Sequence, residues 1–387
     1  MTARFARLVA AWNDLLKQLL AAEAMSGTLG DVERRLAKDR TALLHPMLEL
    51  YIGARSALEP PIEVVGAART CARARGPSKL FIGFPSSTGM HDMKIRHIAI
   101  AILTMVIWAL SFTVIKIGLR GVPPLMICAL RLFLVSLPWV IIIKRPMVSY
   151  HKIVACGVFM FLMQLGFMTC GMYAGTSAGL SAVIMQAQIP FTIVLAVIFL
   201  NEKPSAMQSV GALIALGGII FLASNIGGDI TAAGFLLTIL AAASQASSNI
   251  IVRGFGKVNV VALIIWSSLF AWPPLLVMSL ILEGPDRILQ STLHMSWFSI
   301  GAVLYIAYPA TLIGFALWSR LLSLYPAAIV SSFTLLIPVL ATVISALVLR
   351  EDLQLWKMTA TGVVLFGLCV SIFGPRFVTR TRMAVSS

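Results

Sequence analysis

Long apolar stretches fill the chain from His97 onward, and the residues able to do chemistry are the few polar ones set inside them. Trp108, Ser111, Phe112 and Ile115 share one helical face by i, i+3, i+4, i+7 spacing. There Trp108 can stack on a ligand and Ser111 can hydrogen-bond it, although ordinary helix packing is the competing use of the tryptophan. Lys116 closes the same stretch. It either meets a substrate carboxylate or extends its ammonium to the membrane–water boundary. Further on, Ser181, Met185, Gln188 and Thr192 share a face, Gln186 lies beside it, and Pro190 leaves a carbonyl one turn back without its N–H. Two amides beside such a break suit recognition of a zwitterion; amides also hold helices together. Gln164, Ser244, Gln245, Ser248, Asn249 and Ser331 are further polar candidates for contact with a substrate. Arg131, about one third into its stretch, reads as structural, a fixed charge held by backbone carbonyls or a helix C-terminus.

What is missing narrows the chemistry. The acidic residues after Met93 are Glu202, Asp229, Glu283, Asp286, Glu351 and Asp352, and all fall in loops or at the ends of apolar stretches. No histidine lies inside one. A membrane-embedded enzyme needs a nucleophile with its base, or a metal triad, at depth, so an enzyme is not expected. The five cysteines, Cys71, Cys128, Cys156, Cys170 and Cys369, show no metal-ligand spacing and read as small apolar residues. No metal and no cofactor are expected. Glu202 and Glu351 each precede an apolar stretch, where a helix dipole favours a negative group, and read as structural caps of the helices that follow.

The elements that position these side chains follow from composition. Hydrophobic residues make up 59% of the chain and charged residues 12%, against about 25% charged in a soluble domain. The apolar runs match the ~20 residues a helix needs to cross hydrocarbon. Alternating ten-residue strands, as a β-barrel would show, are not what the runs resemble. Ten spans are predicted, at 97–118, 124–143, 152–173, 178–200, 206–224, 232–252, 259–282, 297–319, 327–349 and 355–374. The fold class is therefore an all-α membrane protein. The formal charge of +15 is spread over loops rather than gathered on a soluble face, so no nucleic acid is expected as partner. With the first span entered from the cytoplasm, cytoplasmic loops hold Lys94, Arg96, Lys144, Arg145, Lys152, Lys203, Arg253, Lys257, Arg320, Arg376, Arg380 and Arg382. The opposite side holds Lys116, Arg120, Arg287, Arg350 and Lys357. This asymmetry predicts a multi-pass protein of the cell inner membrane with both termini cytoplasmic.

The chain also repeats. In the stretches 178–222 and 327–373, Pro190 answers Pro338, Glu202 answers Glu351 and Gly218 answers Gly367, with the Glu-to-Gly spacing conserved. Each half has five spans, and an odd number makes the second half enter from the opposite side. The expected layout is two inverted five-helix repeats about a midplane site, at 93–225 and 226–387, the latter ending in a basic tail. Pro190 and Pro338 mark equivalent structural breaks. Gly211, Gly217 and Gly218 are expected in close helix packing. Residues 1–92 read as an extension, either a cytosolic or membrane-surface segment or the product of a mis-called start ahead of Met93.

Several of these segments resemble one known family. They are Trp108-Ala-Leu-Ser-Phe-Thr-Val-Ile-Lys116, Pro123-Pro124-Leu125-Met126, Ala129-Leu130-Arg131, Ala178-Gly179-Leu180, Gln186-Ala187-Gln188, Asn201-Glu202, Ile265-Trp266-Ser267 and Leu336-Ile337-Pro338-Val339. As a set, over roughly 97–374, they resemble the EamA-type exporters of the drug/metabolite transporter superfamily. The resemblance implies a transporter that exports small polar metabolites, amino acids or derivatives such as cysteine and O-acetylserine, by alternating access. Ser111 stands where the family usually has asparagine. The partners expected are a small-molecule substrate, membrane lipid and a second copy in a homodimer. The rival readings are a multidrug or other organic-solute carrier of the same superfamily and a non-transporting receptor or scaffold.

Overall fold

The computed structural model describes residues 93–227, 230–255, 258–352 and 354–385. The extension 1–92, and with it the reading of a mis-called start, lies outside the described residues. The spans are α1 (Ile95–Gly118), α2 (Pro124–Val140), α3 (Tyr150–Tyr173), α4 (Ala178–Leu200), α5 (Ala206–Ser224), α6 (Ala232–Arg253) and α7 (Val260–Leu282). After the short helix α8 (Pro285–Leu293) come α9 (Trp297–Leu324), α10 (327–349) and α11 (Leu355–Val385). Nine of the ten spans reach 18 residues; α2, with 17, is the shortest. This is an all-α membrane protein of ten spans in two inverted repeats. Among the described residues there is no strand beyond one isolated bridge, Gly227 with Ile230.

Local chemistry sets the helix starts. Ser177, Thr231, Asn259 and Ser296 each accept a hydrogen bond from the N–H three residues on. Ser205 and Gln208 close a reciprocal capping box at α5. Glu202 is therefore not the cap of α5. The sequence does not reveal α8, which at nine residues is too short to span. It buries Ile288 and exposes Leu289 and Leu293.

The repeat is written into backbone irregularities as well as into sequence. Helix α3 turns to π-helix at Gly157–Met163, and its counterpart α9 does so at Tyr308–Ile313. Helix α4 tightens to 3-10 at Met185–Ala187 and α10 at Phe333–Leu335. Each tightening ends three residues before its proline, Pro190 or Pro338, because the ring supplies no N–H to a carbonyl one turn back. Both helices then end in a left-handed residue, Asn201 at φ 53° and Arg350 at φ 57°, each directly before a glutamate.

Helices α5 and α11 make the most extensive helix–helix contact. A Cβ on Gly211 would stand 2.3 Å from Ser371 N, and one on Gly367 would stand 2.4 Å from Ala215 N. Backbones approach that closely only where side chains are absent. Gly218 meets Val364 in the same seam, but Gly217 faces open space and takes no part. Its expected role in packing is thus corrected: it lies on the other side of the helix. Large apolar side chains on α4, α5 and α7, such as Phe199, Leu213, Ile220 and Ile281, point outward. That pattern fits a helix wet by lipid.

Candidate functional site

The bundle has two ends. The near end holds the start of α1 and the far end holds Lys116. Between them, the polar residues expected on α4 and α6 come together. At the proline break the Thr192 hydroxyl donates to Gln188 O at 2.6 Å, and the Asn249 amide donates to Thr192 Oγ1 at 3.2 Å. Gln245 in turn donates to Asn249 Oδ1 at 3.1 Å. The side-chain amides of Gln186 and Gln188 make no hydrogen bond among the described residues, although Gln186 is only 4% exposed. Gln164 is buried on α3 where the π segment ends, and its amide reaches nothing better than Met168 Sδ at 3.7 Å. Unpaired amides at membrane depth are costly, and their unmet donors and acceptors suit a polar ligand.

The other expected contacts are engaged with the protein. Trp108 donates its indole N–H to Ala310 O at 3.0 Å and packs against Phe315 and Trp318. Ser111 donates to Trp108 O within its own helix. The Lys116 ammonium donates to Met172 O at 2.6 Å and Thr176 O at 3.1 Å, tying α1 to the end of α3. Ser331 is half-buried near the start of α10, and its carbonyl accepts from Thr334. Arg131 was expected on backbone carbonyls. It instead donates Nε–H to the Thr311 hydroxyl at 3.0 Å, and that hydroxyl donates in turn to Ile306 O at 2.7 Å.

The carboxylates are used differently at the two ends. At the far end, Glu351 accepts from Ala178 N at 2.8 Å and Gly179 N at 3.2 Å, so it caps α4 rather than the helix that follows it. Glu283 does the same for α2, accepting from Leu125 N at 2.7 Å and Met126 N at 3.1 Å. Sequence reasoning missed these partners, since each glutamate serves a helix of the other half. A cavity of about 410 Å³ lies above the Glu351 latch, lined in part by Lys116, Tyr173, Ser177 and Leu349. At the near end the equivalent residue, Glu202, pairs with Arg253 at 3.1 Å in a half-exposed salt bridge. Helix α10 begins there at Pro326 with no side-chain cap. The far halves of α4 and α10 pack together through Gly179, Ala182, Ala341 and Ser345. The near half of α4 turns to α6 instead. The two helices are closed at the far end and parted at the near end.

Ten spans in two inverted repeats are an architecture that membrane transporters use. The chain belongs to the EamA-like transporter family, whose model matches it twice, at residues 95–224 and 232–373. It is 35% identical over 283 residues to a protein of Salmonella typhimurium named "Probable amino-acid metabolite efflux pump", covering 72% of this chain and 95% of that one. A protein of the same name from Escherichia coli is 34% identical over 284 residues with the same coverage. An uncharacterized transporter of Archaeoglobus fulgidus is 25% identical, covering 70% of this chain and 96% of that one.

Proposed function

We propose that this protein exports amino acids or small amino-acid derivatives, such as cysteine and O-acetylserine, across the cell inner membrane by alternating access. The observation that carries the reading is the set of amides at the α4 break. The Gln186 and Gln188 side chains have no partner there among the described residues, beside the Gln245–Asn249–Thr192 chain. They offer donors and acceptors together, as a zwitterion requires. The names of the two bacterial relatives support the substrate class.

The near end is cytoplasmic in this reading, because most basic loop residues gather there. The form described, latched at the far end by Glu351 and parted at the near end, is then the one that loads from the cytoplasm. Export needs the converse form. Glu202 is equivalent to Glu351, so on leaving Arg253 it is placed to cap the start of α10 as Glu351 caps α4. A multidrug carrier is disfavoured by the same carboxylates, since a cationic drug needs a free one and these are held by N–H groups or arginine.

Counterflow in proteoliposomes tests the reading. Vesicles preloaded with each amino acid in turn should take up labelled cysteine or O-acetylserine when the internal substrate shares the site. Uptake driven only by organic cations, with no response to any amino acid, would replace this reading with the multidrug one.

A further inference from the structure

Arg131 lies seven residues into α2, so roughly 10 Å below the far end of that helix at 1.5 Å per residue. It is only 8% exposed. Its Nε–H is spent on Thr311, yet its two terminal nitrogens have no partner among the described residues, and no carboxylate there pairs with it. Those nitrogens are also not among the fully sealed polar atoms without a partner, so they keep some accessible surface. A buried guanidinium without a counter-ion costs several kcal/mol. A packed helix interface would not keep one unless something beyond the described residues neutralises it.

The surroundings fix what that is. The π segment of α9 gathers Trp108 from α1 and Arg131 from α2 onto consecutive residues, Ala310 and Thr311. Anchoring through Nε holds the guanidinium plane and leaves its forked edge presented. Gln164 falls at about the same depth, because Cys128, one turn above Arg131, reaches the Leu165 carbonyl and the Thr169 hydroxyl. A planar fork with two pairs of N–H matches a carboxylate bidentately. A phosphate would call for a second cation, and the nearby candidate, Lys116, already holds two backbone carbonyls.

We infer that Arg131, positioned by Thr311, binds the carboxylate of the transported substrate. This rests on the amino-acid reading above and adds to it the group that reads the acid end of the molecule. It also replaces the purely structural role expected for this arginine.

The test uses the full chain in proteoliposomes with three probes: cysteine, cysteamine, which lacks the carboxylate, and 3-mercaptopropionate, which lacks the ammonium. Wild type should take cysteamine as competitor about 30-fold more weakly than cysteine, the loss expected for one charge-assisted fork. Arg131→Gln should reduce that discrimination to about threefold or less, with Arg131→Lys between the two. Thr311→Val keeps the charge and loses the anchor, and should blunt discrimination without abolishing transport. Equal competition by cysteine and cysteamine in wild type overturns the inference even if every arginine variant fails to fold. So does full discrimination in Arg131→Gln. If no amino acid competes, the amino-acid reading falls separately. Ligand-dependent melting then decides the site: stabilisation by propionate over propionamide in wild type but not in Arg131→Gln supports it, and an equal response in both overturns it.

Discussion

Replacing Glu351 by glutamine should loosen the far-end latch without removing a side chain. The carboxylate takes two backbone N–H groups, at 2.8 and 3.2 Å. Hydrogen bonds to a charged group contribute ~1.5–3 kcal/mol each, and a negative charge at a helix start adds ~0.3–1 kcal/mol. The carboxamide keeps one acceptor oxygen, turns an NH2 toward the other N–H and loses the charge. Because Glu351 is half-exposed, the low end of the range applies, about 2 kcal/mol. That is a shift of about 30-fold in the ratio of far-closed to far-open forms. The reporter is Ser345→Cys in a background freed of the native cysteines. Ser345 is 1% exposed and its hydroxyl lies at the α4–α10 contact, where it would meet a Cβ on Gly179. A membrane-impermeant maleimide added outside cells should label this cysteine about 30-fold faster in Glu351→Gln than in wild type. Glu202→Gln removes an exposed ion pair worth ~0–1 kcal/mol from this form and the cap of α10 from the converse, far-open one, so labelling from outside should slow rather than speed up. A sharp elution profile separates opening from unfolding. Unchanged labelling in a folded, transporting Glu351→Gln protein would refute the latch.

Gln188→Ala and Asn249→Ala should each weaken transport by about 5- to 150-fold, the ~1–3 kcal/mol of a lost amide contact, with folded yield maintained; counterflow against in-gel fluorescence checks both. Gly211→Leu should cost stability, since its first added carbon would meet backbone at 2.3 Å, and overpacking of this kind costs ~1–3 kcal/mol. The same change at Gly217 should leave the melting temperature within a few degrees, and a melt in detergent compares them. A C-terminal alkaline phosphatase fusion should be inactive and a fluorescent-protein fusion bright, because the near end carries the basic loops. The reverse pattern would invert the topology.

The spans were legible because crossing hydrocarbon demands a run of apolar residues whatever the tertiary contacts. The reading of 178–200 matches α4 at both bounds, and that of 206–224 matches α5. The inverted repeat was legible too, since Pro190 and Pro338 force the same local tightening wherever the chain sits. The grouping of Gln188 with Asn249 was only half legible. Helical spacing put each on a face, but only packing brings α4 to α6. Glu283 and Glu351 were misread or passed over because their partners lie 158 and 173 residues away in sequence. Trp108 and Lys116 show the same limit from the other side. Residue type made them candidates for a ligand, while the Ala310 carbonyl in the π segment of α9 accepts from Trp108 and the Met172 and Thr176 carbonyls accept from Lys116. No periodicity announces any of these three carbonyls. The likeness of Gly217 to its neighbour Gly218 misled for a simpler reason: adjacent helical positions point about 100° apart.

The borrowed caps bear on how the polypeptide is assembled on the ribosome. When α2 and α4 first enter the bilayer, the glutamates that will occupy their leading N–H groups have yet to be synthesised. Those groups sit at the bilayer boundary with only water to meet them until Glu283 and then Glu351 arrive. The first five helices therefore emerge as an unfinished product whose two helix starts are completed late and in a fixed order. Severing the chain between α5 and α6 should not give two independent folding units. A pair of separately encoded pieces would have to find each other in the membrane before the first became firm, so the two repeats depend on each other.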